Sequence, residues 1–389
     1  MKLRTIENLD VRGKFVLLRD DFNVQIVDGK ITDAFRIEQS MATINALRTG
    51  GAKIAICAHL GRPKGTRNME FSLRPIAEYM GVPLIRDCLD KNFMTDMHDG
   101  DVVLLENVRF YAGEEQNDPA FATALASGFD LFVNDAFAVS HRAHASTVGV
   151  AEILPSYAGL LLASEIANLD AVMTRPARPL TAIVAGSKVS TKIGVLKALA
   201  ALADNLIIGG ALGTTFKFAT GANVGNSLYE PDQRDTALEI LAFARKNNCN
   251  VVLPIDKGTA PEFTPTAPRT DKTFAEIGAT DIIMDEGPQT VASDISVITA
   301  SATVIWNGSV GMAEWQPTWS FGTFTLARAI AEQTRAGHLV SVIGGGDTVA
   351  ALTACGVKDD MTYVSTGGGA FLEYIEGRPL PGIQILEHK

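Results

Sequence analysis

Arginine and histidine stand at the ends of several separate apolar runs in the first half of the chain. Arg19-Asp20-Asp21-Phe22-Asn23 follows the run at 15–18, His59 and Arg62 follow 54–58, Glu106 and Arg109 follow 102–105, and Asn134-Asp135 follows 131–133. His141, Arg142 and His144 lie just beyond the last of these, and Arg36, in GKITDAFRI, is placed to join them. Arginine forks match the paired oxygens of carboxylate and phosphate. A lone arginine is usually a surface or ion-pair residue, so the signal is their recurrence at strand ends. The two histidines of HRAH have no carboxylate or third histidine at a suitable offset, which speaks against a zinc site.

The second half carries a different chemistry. Its run 339–343 ends in Gly344, Gly345 and Gly346, followed by Asp347, Thr348 and an apolar stretch that reads as a helix start. Glycines admit close approach to backbone, and a helix N-terminus presents free N–H groups and a positive dipole end, so phosphate is the natural guest. Asp347 would repel that phosphate unless a cation such as Mg²⁺ lay between them; alternatively it is only the N-cap of the helix. In Gly186-Ser187-Lys188-Val189-Ser190-Thr191-Lys192 two lysines four apart share a face if a helix begins near Ser190, and they either reach the same phosphates or line a solvated face. Gly209, Gly210, Gly213, Asn307, Gly308, Glu314 and Gly367, Gly368, Gly369 extend the glycine-lined surface. The chain contains neither the P-loop pattern nor the dinucleotide fingerprint, which disfavours both a P-loop ATPase and an ordinary nicotinamide-dependent oxidoreductase.

To bring these groups together, the elements must form parallel α/β sheets, whose ligands bind beyond the carboxyl ends of the strands. Strand-like runs at 15–18, 54–58, 102–105 and 131–133 form one series. Runs at 182–185, 206–208, 251–253, 282–284, 303–306, 340–343 and 363–364 form a second, enough for two sheets. Between them, 157–173 has a long helical pattern closed by TRPARP, whose prolines end it. The boundary is expected there.

The 389 residues, 47% of them hydrophobic, suit roughly two to three domains with ample core. The net charge of -10 argues against a nucleic-acid partner, so a basic site has to be local. The start has no signal-peptide pattern and no run approaches the roughly 18 apolar residues of a membrane span, from which a cytoplasmic protein is expected. Four dispersed cysteines, Cys57, Cys88, Cys249 and Cys355, indicate neither a disulfide framework nor zinc.

The segments RDDFNV, GKITDAFRI, HLGRPKG, LLENVRFYAGEE, FVNDAF, HRAHAST, GSKVSTKIGVL, WNGSVG, IGGGDTVAAL, STGGGAFLE and EGRPLPG, in this order, resemble the phosphoglycerate kinase family over essentially the full length. The resemblance implies an α/β fold of two Rossmann-like domains, each a parallel sheet flanked by helices, joined by a long helix with the substrate cleft between them. Residues 1–156 with 373–389 would form the 3-phosphoglycerate domain, 157–175 the connecting helix and hinge, and 176–372 the nucleotide domain.

By motif, Asp21, Asn23, Arg36, His59, Arg62, Arg109 and Arg142 would hold the triose. Gly186, Lys188, Lys192, Gly210, Asn307, Glu314, Gly344, Gly345, Gly346, Asp347 and Thr348 would hold ATP or ADP, Asp347 through Mg²⁺. Arg36, Lys188, Lys192, Gly345 and Gly368 would act on the transferred phosphoryl. The resemblance also suggests a monomer. Thr191, Ser187, Ser309 and Ala313 depart from the commonest pattern, where Asp, Ala, Pro and Phe are usual. The implied activity is reversible transfer from 1,3-bisphosphoglycerate to ADP after domain closure. A protein of the same fold that only binds nucleotide is the rival reading.

Overall fold

The computed structural model describes residues 2–387. The chain divides into two compact units, one running to Ala167 and resuming at Pro379, the other Asn168–Arg378.

The first unit is built on strands β1 (Phe15–Arg19), β4 (Lys53–Cys57), β5 (Leu84–Ile85), β6 (Val102–Leu105), β7 (Leu131–Asn134) and β8 (Ser156–Ala158), with a small hairpin, β2 (Ile26–Val27) and β3 (Lys30–Ile31), beside them. The sheet order is β5-β6-β4-β1-β7-β8 and every pairing is parallel. Successive side chains of a strand face opposite sides, so a sheet covered on both faces needs unbroken apolar runs. Here Val16, Leu18, Ile54 and Ile56 enter one core, while Leu17, Ala55, Cys57 and Phe132 enter the other. The chain reverses its direction of winding at β1, which puts β4 on one side and β7 on the other. That is the switch point at which such sheets take ligands.

In the second unit β9 (Leu180–Val184), β10 (Asn205–Ile208), β11 (Asn250–Val252), β15 (Thr303–Asn307), β16 (Val340–Gly344) and β17 (Tyr363–Val364) form a parallel sheet in the order β11-β10-β9-β15-β16-β17. The winding reverses at β9. A separate antiparallel sheet, ordered β13-β12-β14, consists of β12 (Asp256–Ala260), β13 (Thr270–Thr273) and β14 (Ile282–Glu286). The run 282–284, expected among the parallel strands, therefore belongs to a different sheet. Its partner β12 reads DKGTA and is wholly buried, because its polar groups find internal partners rather than solvent.

The long helix is Leu160–Thr174, shorter at its start than the pattern 157–173 suggested. Ser156–Ala158 is instead an edge strand paired to β7, and the Gly159 N–H donates to the Asn134 carbonyl at 2.9 Å. No described helix is long and apolar enough to cross a membrane.

Candidate functional site

In the first unit the carboxyl ends of β1, β4, β6 and β7 assemble most of the expected arginines and histidines around Arg19. This residue closes β1, is fully buried, and donates from Nε to Ser146 Oγ at 2.8 Å while Nη2 meets His59 Nδ1 at 3.3 Å. His59 Nδ1 also lies 3.6 Å from Asp21 Oδ1, and the other oxygen of Asp21 accepts from Arg36. Asn23 Oδ1 accepts the Gly61 N–H at 2.8 Å, while the Gly61 carbonyl accepts from Arg109 Nη1 at 2.8 Å. Arg109 Nη2 is buried with no hydrogen-bond partner. Arg142 donates to His141 Nε2 at 3.0 Å, and Arg62 is exposed on the turn after β4.

The electrostatics follow from this crowding. Burial, then the Arg19 and Arg109 charges, hold His59 well below its ordinary range. Burial and then the Arg109 and Arg19 charges depress His144 to about 3. Arg109 is lowered to about 10 by burial and then by Arg19. A site that resists taking another proton is one that an anion would relieve. Glu114, fully buried, accepts from Ser146 N and Oγ at 2.9 and 2.6 Å, which anchors the far side of Arg19. Arg19 and His144 stand among the basic strand-end residues expected from sequence but carry no individual role there, and Glu114 and Ser146 are not singled out by sequence. The position of Arg19 at the end of the central strand was the available signal.

In the second unit Asn307 and Gly344 are register partners at the ends of β15 and β16, and Asn307 Nδ2 donates to the Gly344 carbonyl at 2.9 Å. Lys192 Nζ donates to Asn307 Oδ1 at 2.8 Å and to the Ala185 carbonyl at 2.5 Å. Burial lowers Lys192 to about 8, opposed by the Asp347 carboxylate. Thr348 Oγ1 accepts the Gly308 N–H at 2.7 Å. Gly345 has φ 98° and precedes the helix Gly346–Cys355.

Two expectations need correction here. The lysines do not share a helix face: the helix is Ile193–Leu202, and 186–192 is a loop turned by Lys192 N–H donating to Val189 O at 2.8 Å. Lys192 is drawn inward by its two oxygen partners, whereas Lys188 is exposed. Asp347 does not cap its helix either; the N-cap is Gly345, and Asp347 lies in the first turn without a capping bond. The N-cap alternative therefore falls.

A cavity of about 760 Å³ in this unit is lined by Gly186, Gly210, Glu314 and Asp347, with Met284, Val310, Met312 and Ala313 among its apolar walls. That volume suits a nucleotide-sized ligand. Ser187 and Ser309 also line it, and Thr191 Oγ1 donates to the Lys188 carbonyl at 3.1 Å. Gly368, φ 48°, precedes the helix Gly369–Ile375. Among the described residues no group of three or more His, Cys, Asp or Glu is placed to cage a metal. A single exposed carboxylate at a phosphate-receptive helix end suits Mg²⁺, which keeps its waters and binds chiefly through substrate phosphates.

Arginines clustered at the strand ends of one α/β unit, and on the other a glycine-lined cavity with a half-buried lysine beside its Gly186 wall, are the kind of equipment a kinase for small acidic substrates would need. Comparison with known proteins narrows that class. The family model for phosphoglycerate kinase matches residues 6–378. The chain is 48% identical to the phosphoglycerate kinase of Sinorhizobium fredii over 100% of both, and 46% identical to that of Granulibacter bethesdensis over 99% of this chain and 100% of the relative. The phosphoglycerate kinase structure from Coxiella burnetii superposes with a TM-score of 0.87 at 40% identity, covering 99% of this chain and 98% of that one. That from Pyrococcus horikoshii gives 0.85 at 27%, again over 99% and 98%. The chain belongs to the phosphoglycerate kinase family, and is an enzyme.

Proposed function

We propose that the protein transfers a phosphoryl group reversibly between 1,3-bisphosphoglycerate and ADP, giving 3-phosphoglycerate and ATP. The observation that carries this reading is the presence, in one member of the family, of a crowded basic site around Arg19 and Arg109 together with a nucleotide-sized cavity whose wall residue Gly186 has the Lys192 amine beside it.

The acceptor carboxylate is already anionic, so the reaction needs no protein nucleophile and hardly any general base. What opposes it is charge repulsion between donor and acceptor, and what helps is alignment. Arg109, Arg142, Arg62, His59, Asn23 and Asp21 bind and orient the triose. Arg36, whose partner Asp21 holds it beside the basic site, meets the charge of the moving group. Lys192, Lys188 and the N–H groups at Gly346 meet that charge from the nucleotide side, and Gly368 borders the transfer point. Glu314 and Asn307 position the nucleotide. Asp347 would hold Mg²⁺ on the phosphates, where the ion neutralises phosphate charge. Since the two residue sets stand on separate units, transfer requires the units to close, with 157–179 and the chain's return near Pro379 as hinges. A coupled assay with 3-phosphoglycerate and MgATP tests the reading. Turnover supports it; binding of both ligands without turnover would leave only a binding module.

A further inference from the structure

Beneath the glycine-lined cavity lies an ion pair that the proposed chemistry does not use. Lys257, in β12, and Glu286, at the end of β14, are both fully buried, with Nζ 2.6 Å from Oε1. The same Oε1 accepts the Gly210 N–H at 3.0 Å. Gly210 opens the helix Gly210–Ala219 with φ +66°, a conformation that suits glycine. It packs closely enough that a Cβ would come 3.0 Å from the Gly186 carbonyl and 3.3 Å from that of Ser309. Gly186, Gly210 and Ser309 all border the cavity. One buried carboxylate oxygen therefore holds the point at which two cavity loops meet a helix head.

We propose that Glu286, neutralised by Lys257, is a positioning residue for the nucleotide: it fixes the head of helix Gly210–Ala219, and through it the Gly186 loop, by accepting the Gly210 N–H. The proposal rests on the nucleotide reading of the cavity. Each partner has a reason to be there. A carboxylate alone beneath a phosphate site would repel the ligand and carry a large desolvation cost, and Lys257 cancels both effects. An apolar pair would fill the space but leave the Gly210 N–H buried without an acceptor. Burial pushes Glu286 above the usual carboxylate range while Lys257 opposes the shift. Nearby Asp294 is pushed up to about 8, by burial and then by Glu286, so near neutrality it keeps its proton and leaves the lysine to Glu286.

The test compares two double variants that differ in the acceptor. In Lys257→Met/Glu286→Gln the amide oxygen can still take the Gly210 N–H; in Lys257→Met/Glu286→Leu nothing can. Calorimetry with ADP, with and without Mg²⁺, should give the Gln variant the parental Kd within about threefold and the Leu variant a Kd raised about tenfold, the scale of one lost bond to a buried donor. The KM for 3-phosphoglycerate should be unchanged in both. Equal ADP affinity in the Leu variant and the parent would overturn the proposal. Should the Leu variant not fold, a tenfold loss in a well-folded Gln variant overturns it instead, and parental affinity there upholds it. Failure of the parent itself to bind ADP would strike the nucleotide reading rather than the role of Glu286.

Discussion

At the scale of single residues, charge is concentrated where an anion would dissipate it. If Arg36 acts mainly on the moving phosphoryl, Arg36→Ala should lower kcat by roughly 10² or more; unchanged kcat with a raised KM for the triose would confine it to binding. Asp347→Asn should weaken binding of MgADP more than of metal-free ADP, and equal weakening in calorimetry would remove the metal role. His144 offers a pH signature. Its folded pKa is depressed to about 3, by burial and then by Arg109 and Arg19, against an ordinary 6.5. Below 6.5 the unfolded chain gains a proton that the folded one refuses until near 3, so this group's contribution to stability is lost as pH falls through that window. Urea titrations at pH 7.5 and 4.5 should show a smaller loss in His144→Asn than in the parent.

At the scale of elements, the strand ends decide what the loops can do. Gly345 has φ +98°, and a Cβ there would lie 2.7 Å from Asn307 Nδ2, the side chain that also holds Lys192. Gly345→Ala should cost about 1–3 kcal/mol of stability and raise the nucleotide KM. Gly346, whose Cβ would meet nothing within 4 Å, should tolerate alanine in stability while still losing nucleotide affinity if phosphate approaches there. A Gly346→Ala protein with parental affinity would move the phosphate elsewhere.

The parallel strands were legible because a sheet buried on both faces demands continuous apolar runs, and 102–105 and 363–364 were read with the bounds the structure has. β12 was not legible. Asp256, Lys257 and Thr259 look like loop residues until Thr290, Glu286 and Thr270 supply partners further along the chain. The Lys192 position was misread for a similar reason: spacing suggested a helix face, but the Ala185 and Asn307 oxygens hold the amine instead. Arg36 and Asp347 were singled out as residue types at strand and helix ends, whereas the support of Arg19 by Ser146 and Glu114 depends on contacts that spacing does not encode.

At the scale of the whole molecule, each unit carries only part of the charge set, so neither should transfer efficiently without the other's ligand. With MgATP and no triose, phosphate release should be slower than transfer to 3-phosphoglycerate by about 10³ or more, because the moving group lacks Arg36 and water exclusion. Comparable rates in a phosphate-release assay would sink the closure mechanism.

The first unit has one more dependence. The chain re-enters it at Pro379, where Leu380, Ile383 and Leu386 are buried, the Gly382 carbonyl accepts from Asn134 Nδ2 at 3.0 Å, and the Arg4 N–H donates to the Leu386 carbonyl at 3.0 Å. On the ribosome this seam stays open until the whole second unit has been made. At about 5–20 residues per second that delay lasts roughly 10–40 s. The nascent first unit therefore waits with an apolar groove uncovered, and the unit synthesised first is the last to be completed.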